Sequence, residues 1–156
     1  MFNKYCFDTS AFIEPWNKHY PIRLLPQYWK NIANLIDAGR IFCPVEVYEE
    51  ILKKDDSLVE WIKQRKEKLV HPITIPVQQK VTEILSRFPK LIKVYRNQSM
   101  ADPWVIAHAL IENAIVITKE IPGSNTDIKI PNVCIAYQLE YMDEIGLAER
   151  EKLLEI

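Results

Sequence analysis

Short apolar stretches alternate with helical patterns along this chain, and this alternation does most to narrow the choice of fold. The clearest stretch, residues 114–118 (AIVIT), is uncharged, rich in β-branched residues and too short for a helix. Tyr5–Phe7 and residues 41–43 are similar short apolar stretches. In residues 24–38 and 104–112, apolar side chains recur at the spacing of one helix face. Strands alternating with helices predict an α/β fold, a three-layer α/β/α arrangement with a central, mainly parallel sheet.

The intervals between these segments predict further elements. We expect one helix over residues 55–70, a second over 77–88 and a short helical piece over 90–95. Residues 133–135 (VCI) are apolar and short, which indicates a last strand, and helix is expected from Ala136 onward.

Size and charge limit the function of the chain. Its 156 residues fit one domain, so we assign residues 1–156 to a single unit. The formal net charge of -1 argues against a broadly cationic nucleic-acid binder and leaves a local basic patch as the means of contact. Neither a secretory signal nor an apolar run of about 20 residues is visible, so we expect a cytoplasmic protein without a membrane span.

The cysteines argue against a zinc site. Cys6, Cys43 and Cys134 lie far apart without CxxC spacing, and the three histidines do not complete a cluster. An odd number of thiols in apolar surroundings indicates buried, reduced cysteines.

Acidic residues follow the predicted strands at the points where ligands gather in a parallel sheet. Asp8 comes directly after the first strand, and Glu120 comes after the AIVIT strand. Asp102 begins the helix that leads into that strand. The helix after the second strand carries three glutamates, Glu46, Glu49 and Glu50. Because the carboxyl ends of parallel strands share one edge, we expect these four segments to converge.

Converging carboxylates favour a divalent cation, because like charges in a partly dry cleft resist joint ionisation. Hard oxygen ligands suit Mg²⁺ or Mn²⁺. Such a site activates water and holds the oxygens of a phosphodiester during hydrolysis. It needs no histidine base, which agrees with the few histidines of this chain.

Four segments resemble PIN domains in the order that this family has them. YCFDTSAFI resembles the opening strand and turn, where Asp8 and the hydroxyls of Thr9 and Ser10 begin the metal site. CPVEVYEEIL resembles the helix whose second acid precedes an aliphatic residue, which places Glu50 before Ile51.

The other two segments lie nearer the C-terminus. ADPWVIAHAL is similar to the PIN helix with a third acid near its start, which corresponds to Asp102. AIVITKE resembles the closing strand and T-x-D turn, with Thr118 in register and Glu120 at the acidic position. The four matches span residues 5–120.

The resemblance implies a PIN-like, Mg²⁺- or Mn²⁺-dependent ribonuclease related to toxin-type (VapC-like) proteins. The implied ligands and catalytic residues are Asp8, Glu50, Asp102 and Glu120, supported by the hydroxyls of Thr9, Ser10 and Thr118. The substrate would be RNA. An antitoxin partner and a homodimer are further implications of the same resemblance.

Two departures from the family pattern stand out. Glu120 occupies a position where the family usually has aspartate, so it reaches one methylene further and can bind through water, and Asp127 in the same loop is an alternative ligand. The stretch 55–96 is longer and more charged than in a minimal toxin-type PIN domain, which indicates a divergent sub-family. The second ligand also stays open among Glu46, Glu49 and Glu50.

Several of these residues have a simpler structural explanation. Asp8 and Asp102 each stand where a turn or helix begins, so either can act as a cap. His108 lies between alanines on an apolar helix, which indicates a histidine at the edge of the core. Trp16 and Trp104 can pack in the core or stack on a base.

Basic residues form two clusters that could follow a phosphate backbone. They are Lys63, Arg65, Lys66 and Lys68, and Lys90, Lys93 and Arg96. Glu60 and Glu67 interleave the first cluster, which favours a solvated helix face there.

Two other functions compete with the ribonuclease. A metal-dependent phosphatase can use a similar sheet, but the haloacid-dehalogenase type has a D-x-D pair, and here Asp8 is followed by Thr9 and Ser10. The second is a non-catalytic PIN-like module that binds protein or nucleic acid. Nucleotide-binding loops of the G-x-G-x-x-G and G-x-x-x-x-G-K-[ST] types do not occur.

Overall fold

A computed structural model describes residues 2–54, 56–92 and 100–156 of the chain. Within these ranges the strands form one sheet in the order β3-β2-β1-β4-β5, and every neighbouring pair is parallel. The strands are β1 (Tyr5–Phe7), β2 (Ile41–Pro44), β3 (Val70–His71), β4 (Ile115–Ile117) and β5 (Tyr141–Met142). Helices cover both faces, so the predicted three-layer α/β/α fold with a parallel sheet is confirmed.

The described helices connect these strands. They are α1 (Thr9–Glu14), α2 (Pro26–Asp37), α3 (Val45–Lys54), α4 (Asp56–Lys63), α5 (Lys66–Leu69), α6 (Ile75–Arg87), α7 (Asp102–Glu112), α8 (Ile130–Ala136) and α9 (Glu144–Glu151). A π-helical turn, Pro15–His19, follows α1, and a 3-10 turn, Pro89–Leu91, follows α6. Within the described ranges, no helix has both the length and the apolar character needed to cross a membrane.

The core lies on both sides of the central strand. β1 pairs with β2 on one side and β4 on the other, and its three residues are at most 1% exposed. A strand covered on both faces needs an uninterrupted apolar run, which explains the YCF and IVI sequences. Cys6, Cys43 and Cys134 are buried free thiols, as expected.

The last strand was predicted in the wrong place. Residues 133–135 belong to α8, which ends at Ala136, and the last strand is β5. Pro131 stands in the first turn of α8, and the Asn132 side chain accepts a hydrogen bond from the Lys129 backbone N–H at 2.9 Å. These start signals outweigh the apolar run, because a short apolar run fits a buried helix as well as a strand.

The helix predicted over residues 55–70 is also wrong in part. The chain turns between α4 and α5, and Val70 then begins β3, which pairs with Cys43 and Pro44 of β2. This two-residue edge strand has no apolar run of its own, so its pairing comes from the neighbouring strand. Asp55 lies outside the described residues, as do Lys93, Arg96 and the second half of the predicted 90–95 piece.

Candidate functional site

A cleft of about 830 Å³ opens at the carboxyl ends of β1, β2 and β4. Seven carboxylates of the described residues line it: Asp8, Glu14, Glu46, Glu49, Glu50, Asp102 and Glu120. They come from the turns after β1 and β4, from the end of α1, from α3 and from the start of α7. All four acids that the sequence assigned to a metal site therefore border the same space. Asp127, the alternative to Glu120, is not among the described residues that line the cleft.

Asp8 forms the floor of the cleft and is only 7% exposed. It caps the N-terminus of α1, because its Oδ1 accepts a hydrogen bond from the Thr9 backbone N–H at 2.8 Å. Its Oδ2 accepts from the hydroxyls of Ser10 at 2.8 Å and Thr118 at 3.0 Å. Three donors thus fix the carboxylate, so capping and a ligand role are compatible.

The same hydroxyls connect Asp8 to the turn after β4. The Glu120 backbone N–H donates to Thr118 Oγ1 at 3.1 Å, and the Lys119 N–H donates to Ser10 Oγ at 3.1 Å. Of the three hydroxyls expected to support the site, two contact Asp8. The Thr9 hydroxyl is buried without a hydrogen-bond partner among the described residues, and Thr9 contributes its backbone N–H instead.

The environment of Asp8 disfavours its negative charge. Burial raises the pKa of this carboxyl to about 6, and the nearby charge of Glu120 raises it as well. The hydrogen bonds from Ser10, Thr118 and Thr9 lower the pKa but do not offset the burial. A cation in the cleft would therefore relieve an electrostatic cost that neutral donors leave in place.

The three glutamates of α3 have different surroundings. Glu50, the residue that the family pattern favours, pairs with Lys54 at 3.1 Å. Glu49 is exposed. Glu46 is half-buried, burial raises the pKa of its carboxyl, and its Oε1 is buried without a hydrogen-bond partner among the described residues. The geometry leaves Glu46 and Glu50 as the better placed candidates.

The remaining two acids differ in how they are anchored. Glu120 Oε1 accepts a hydrogen bond from the Ile130 backbone N–H at 3.1 Å, at the start of α8. Asp102 is the first residue of α7 and half-buried. The residue before the helix is Ala101, so Asp102 lies in the first turn and is not the N-cap that its position in the sequence had suggested.

The donor set fits a hard divalent cation. Carboxylates from five segments of the chain border one cleft, one of them is buried with a raised pKa, and an oxygen of Glu46 has no partner among the described residues. Nowhere in the described ranges do three His, Cys, Asp or Glu side chains already stand close enough to hold an ion. The acids face a common space and would have to move together around a metal.

Sequence reasoning missed the lysines of the cleft. Lys53, Lys54 and Lys119 line it together with the acids. Lys119 Nζ also pairs with Glu14 at 2.5 Å. The signal was present in the TKE segment, since a residue between Thr118 and Glu120 must stand at the same sheet edge.

Trp16 and Trp104 pack against the core, and His108 is buried in it, rather than lining the cleft. Trp16 packs edge-on against Trp29 with ring centroids 4.9 Å apart, and its Nε1 donates to Ser57. Trp104 is half-buried against the core. His108 is 1% exposed, as expected for a core histidine. In the first basic cluster, Lys63 and Lys66 border a separate groove beside β3.

The sequence matches a family model over nearly its whole length. A family model described as Domain of unknown function (DUF4411) matches residues 5–154. No curated protein sequence matches significantly.

Two solved structures have similar folds. A chain of VapBC-1 from nontypeable Haemophilus influenzae is 17% identical, with a TM-score of 0.60, over 90% of this chain and 98% of that one. A chain of VapBC2 from Rickettsia felis, bound to a DNA fragment from its promoter, is 18% identical, with a TM-score of 0.55, over 89% and 97%. The predicted PIN-like fold, similar to that of these VapBC chains, is confirmed.

Proposed function

The chain belongs to the DUF4411 family, and on its PIN-like fold we propose that it is a metal-dependent endoribonuclease that hydrolyses RNA phosphodiester bonds. The observation that carries the proposal is the combination of burial, hydrogen-bond donors and raised pKa at the Asp8 carboxyl. Its carboxylate is buried in an acidic cleft, the donors that hold it within the described ranges are neutral, and its pKa is raised to about 6. Such a group favours a cation as its partner.

Mg²⁺ or Mn²⁺ is the cation of choice for this donor set. Asp8, Glu50 and Asp102 would hold it, and Glu120 would complete the set directly or through water. A bound ion would lower the pKa of an attacking water and neutralise charge on the phosphate. Ser10 and Thr118 keep the Asp8 carboxylate in one orientation.

The lysines of the cleft suit a nucleic-acid backbone. Lys53, Lys54 and Lys119 surround an acidic floor, so a phosphodiester can contact ammonium groups while its reacting phosphate reaches the carboxylates. These lysines give the cleft local positive charge for phosphate contacts, although the chain as a whole has a net charge of -1.

The same likeness supports the proposal of a toxin role. Both similar chains come from VapBC assemblies and align over about nine-tenths of this chain. We therefore propose a VapB-like antitoxin segment as a partner and a homodimer as the assembly. Size-exclusion chromatography with light scattering tests the homodimer, because a monomeric mass at micromolar concentration would contradict it.

A ribonuclease assay tests the activity itself. We expect the full chain to cleave a fluorogenic RNA in Mn²⁺ and to lose the activity in EDTA. Asp8→Asn and Asp102→Asn should each lower kcat at least about 100-fold, in the range found when a metal ligand or a charge-stabilising group is removed. Asp37→Asn, the same change at an exposed position of α2, serves as the control.

Two results would contradict the proposal. Equal activity in the wild type and both Asn variants would remove the metal site from the reaction. RNA binding without any cleavage in Mn²⁺ would favour the non-catalytic module, and release of phosphate from monoesters alone would favour the phosphatase.

A further inference from the structure

The loop after β4 is closed by the side chain of a candidate metal ligand. It runs from Glu120, which lines the cleft, to Ile130, the first residue of α8. Glu120 Oε1 accepts a hydrogen bond from the Ile130 backbone N–H at 3.1 Å. A backbone N–H in the first turn of a helix has no acceptor within that helix, so the carboxylate supplies one. The position of this carboxylate therefore depends on where the loop and α8 meet.

Asn132 joins the two sides of this loop. Its Oδ1 accepts hydrogen bonds from the backbone N–H groups of Gly123 and Lys129, each at 2.9 Å, and its Nδ2 donates to the Gly123 carbonyl at 3.0 Å. A side chain that only capped α8 would need the bond to Lys129 alone. The two bonds to Gly123, nine positions away, cross the loop and fix both backbone groups of that residue.

Gly123 is packed too closely to carry a side chain. A Cβ atom at this position would overlap with the backbone carbonyl oxygen of Asp127. The Asp127 backbone N–H in turn donates to the Ser124 carbonyl at 3.0 Å. The loop therefore folds back on itself at Gly123, and Asn132 connects that point to the start of α8.

From these contacts we propose that Asn132 is a positioning residue that holds the Glu120 carboxylate at the cleft for a divalent cation. The inference rests on the metal-dependent function proposed above. Asn132 is not among the described residues that line the cleft, so it acts through the loop and through the Ile130 N–H. It should therefore change the affinity for the cation before any reaction takes place.

The physical reason is the freedom of a glutamate side chain. The backbone N–H of Glu120 is already tied to Asp8 through Thr118 Oγ1, so the side chain is the part that remains to be fixed. Without a donor it would turn away from the other carboxylates of the cleft, because like charges repel. The Ile130 N–H holds one carboxylate oxygen and leaves the other for a ligand. Less side-chain entropy is then lost when a cation binds.

Mn²⁺ binding measures this effect without turnover. The electron paramagnetic resonance signal of free Mn²⁺ weakens when the ion binds, so a titration of the full chain gives a Kd. We expect Asn132→Ala to raise this Kd about tenfold or more, as found when a group that orients a metal ligand is removed. Asn125→Ala, the same change at an exposed position of the same loop, should leave the Kd within about twofold of wild type.

A double variant tests whether Asn132 acts through Glu120. Glu120→Gln removes the negative charge but keeps an acceptor for the Ile130 N–H, and it should itself weaken Mn²⁺ binding. In this background we expect Asn132→Ala to change the Kd by less than about twofold, because the two residues act on one ligand and their effects are not additive. An equal effect of Asn132→Ala in both backgrounds would overturn the inference, since Asn132 would then act by another route.

Amide hydrogen exchange gives a measurement without metal. The Ile130 amide should exchange at least about tenfold faster in Asn132→Ala than in wild type, because its acceptor is no longer held in place. Exchange within β1 and β4 should stay unchanged, which separates local loosening from global unfolding. Gly123→Ala, which must push the loop away from Asp127, should have the same effect and replaces Asn132→Ala if that variant does not fold. Unchanged exchange at Ile130 would contradict the inference.

The outcomes separate this inference from the function on which it rests. A wild type that neither binds Mn²⁺ nor cleaves RNA would contradict the metal-dependent ribonuclease, and the inference with it. A wild type that does both, with equal Kd values for Asn132→Ala and Asn125→Ala, would overturn only the positioning role of Asn132.

Discussion

At the amino end of the strands, the carboxylate of Glu151 accepts hydrogen bonds from both terminal nitrogens of Arg40, at 3.0 and 2.6 Å, and one from the hydroxyl of Tyr5. At the carboxyl end, the donors that Asp8 has among the described residues are a backbone N–H and two hydroxyls. The first carboxylate has a full positive charge beside it, whereas these donors to the second carry partial charges.

The difference separates a carboxylate that stabilises the fold from one that lies in the candidate site. The half-buried Glu151 carboxylate costs little free energy because it is paired with Arg40, and the pair holds the C-terminal helix to the sheet. A buried carboxylate without a cation reduces stability, and such a cost persists where the charge is needed for binding. Changes at each end should therefore act on stability in opposite directions.

The largest effect on stability should come from Arg40→Met. This change leaves the Glu151 carboxylate, 14% exposed, without its cation. We expect a loss of about 2 kcal/mol in the free energy of unfolding, or about 4–8 °C in Tm, with unchanged activity per folded molecule. Urea unfolding measures the first quantity, and the double variant with Glu151→Gln should recover part of the loss. A loss below about 0.5 kcal/mol would mean that the pair is solvated.

A smaller effect of opposite sign is expected for Asp8→Asn. The folded-state pKa of about 6 exceeds the unfolded value of about 4, so the fold favours the protonated acid. Stability from this group is therefore full below pH 4 and is lost as pH rises through 6. Asparagine avoids this loss, and we expect a gain of about 1–2 kcal/mol at pH 7.5 that vanishes by pH 4. Urea unfolding at both pH values would detect it, and equal gains at both would contradict the electrostatic cause.

The smallest effect is expected for Lys119→Gln. Lys119 pairs with Glu14 at the rim of the cleft, but its side chain is 53% exposed, so the pair should contribute less than about 0.5 kcal/mol. RNA binding should respond more, because the lysine faces the proposed path of the phosphates. In an Asp102→Asn background, fluorescence anisotropy should give a slope of log K against log salt that is smaller by about 1. An unchanged slope would remove Lys119 from the interface.

The central strands and the helix that starts at Asp102 were predictable because their signals are local. A strand covered on both faces must be apolar throughout, and Pro103 marks the first turn of a helix. The edge strands β3 and β5 carry no such signal. Each is two residues long, and its conformation follows from hydrogen bonds to β2 or β4. The apolar run 133–135 is helical and not a strand, because the groups that start and cap α8 lie outside the run.

In the candidate site, too, some features follow from local sequence and others from tertiary contacts. The order of Asp8, Glu50, Asp102 and Glu120 along an alternating chain was enough to predict that they meet at one edge, and all four line the cleft. The order of residues along the chain could not distinguish the roles of the neighbouring hydroxyls of Thr9 and Ser10. The Ser10 hydroxyl donates to Asp8, whereas the Thr9 hydroxyl is buried without a hydrogen-bond partner among the described residues, a difference that depends on the folded geometry.

The alternation of apolar stretches and helical patterns by itself determined the parallel α/β fold and the edge at which its acids gather, because strand burial and helix periodicity are properties of neighbouring residues. Only the tertiary structure decided which carboxylates have a cation beside them. Glu151 meets Arg40 across 111 positions of the chain, and His71 and His108 meet on Glu112. Burial and partnership depend on residues distant in sequence, so the burial of the Asp8 carboxyl and the neutral donors that contact it in the described part of the chain became visible only in the folded chain.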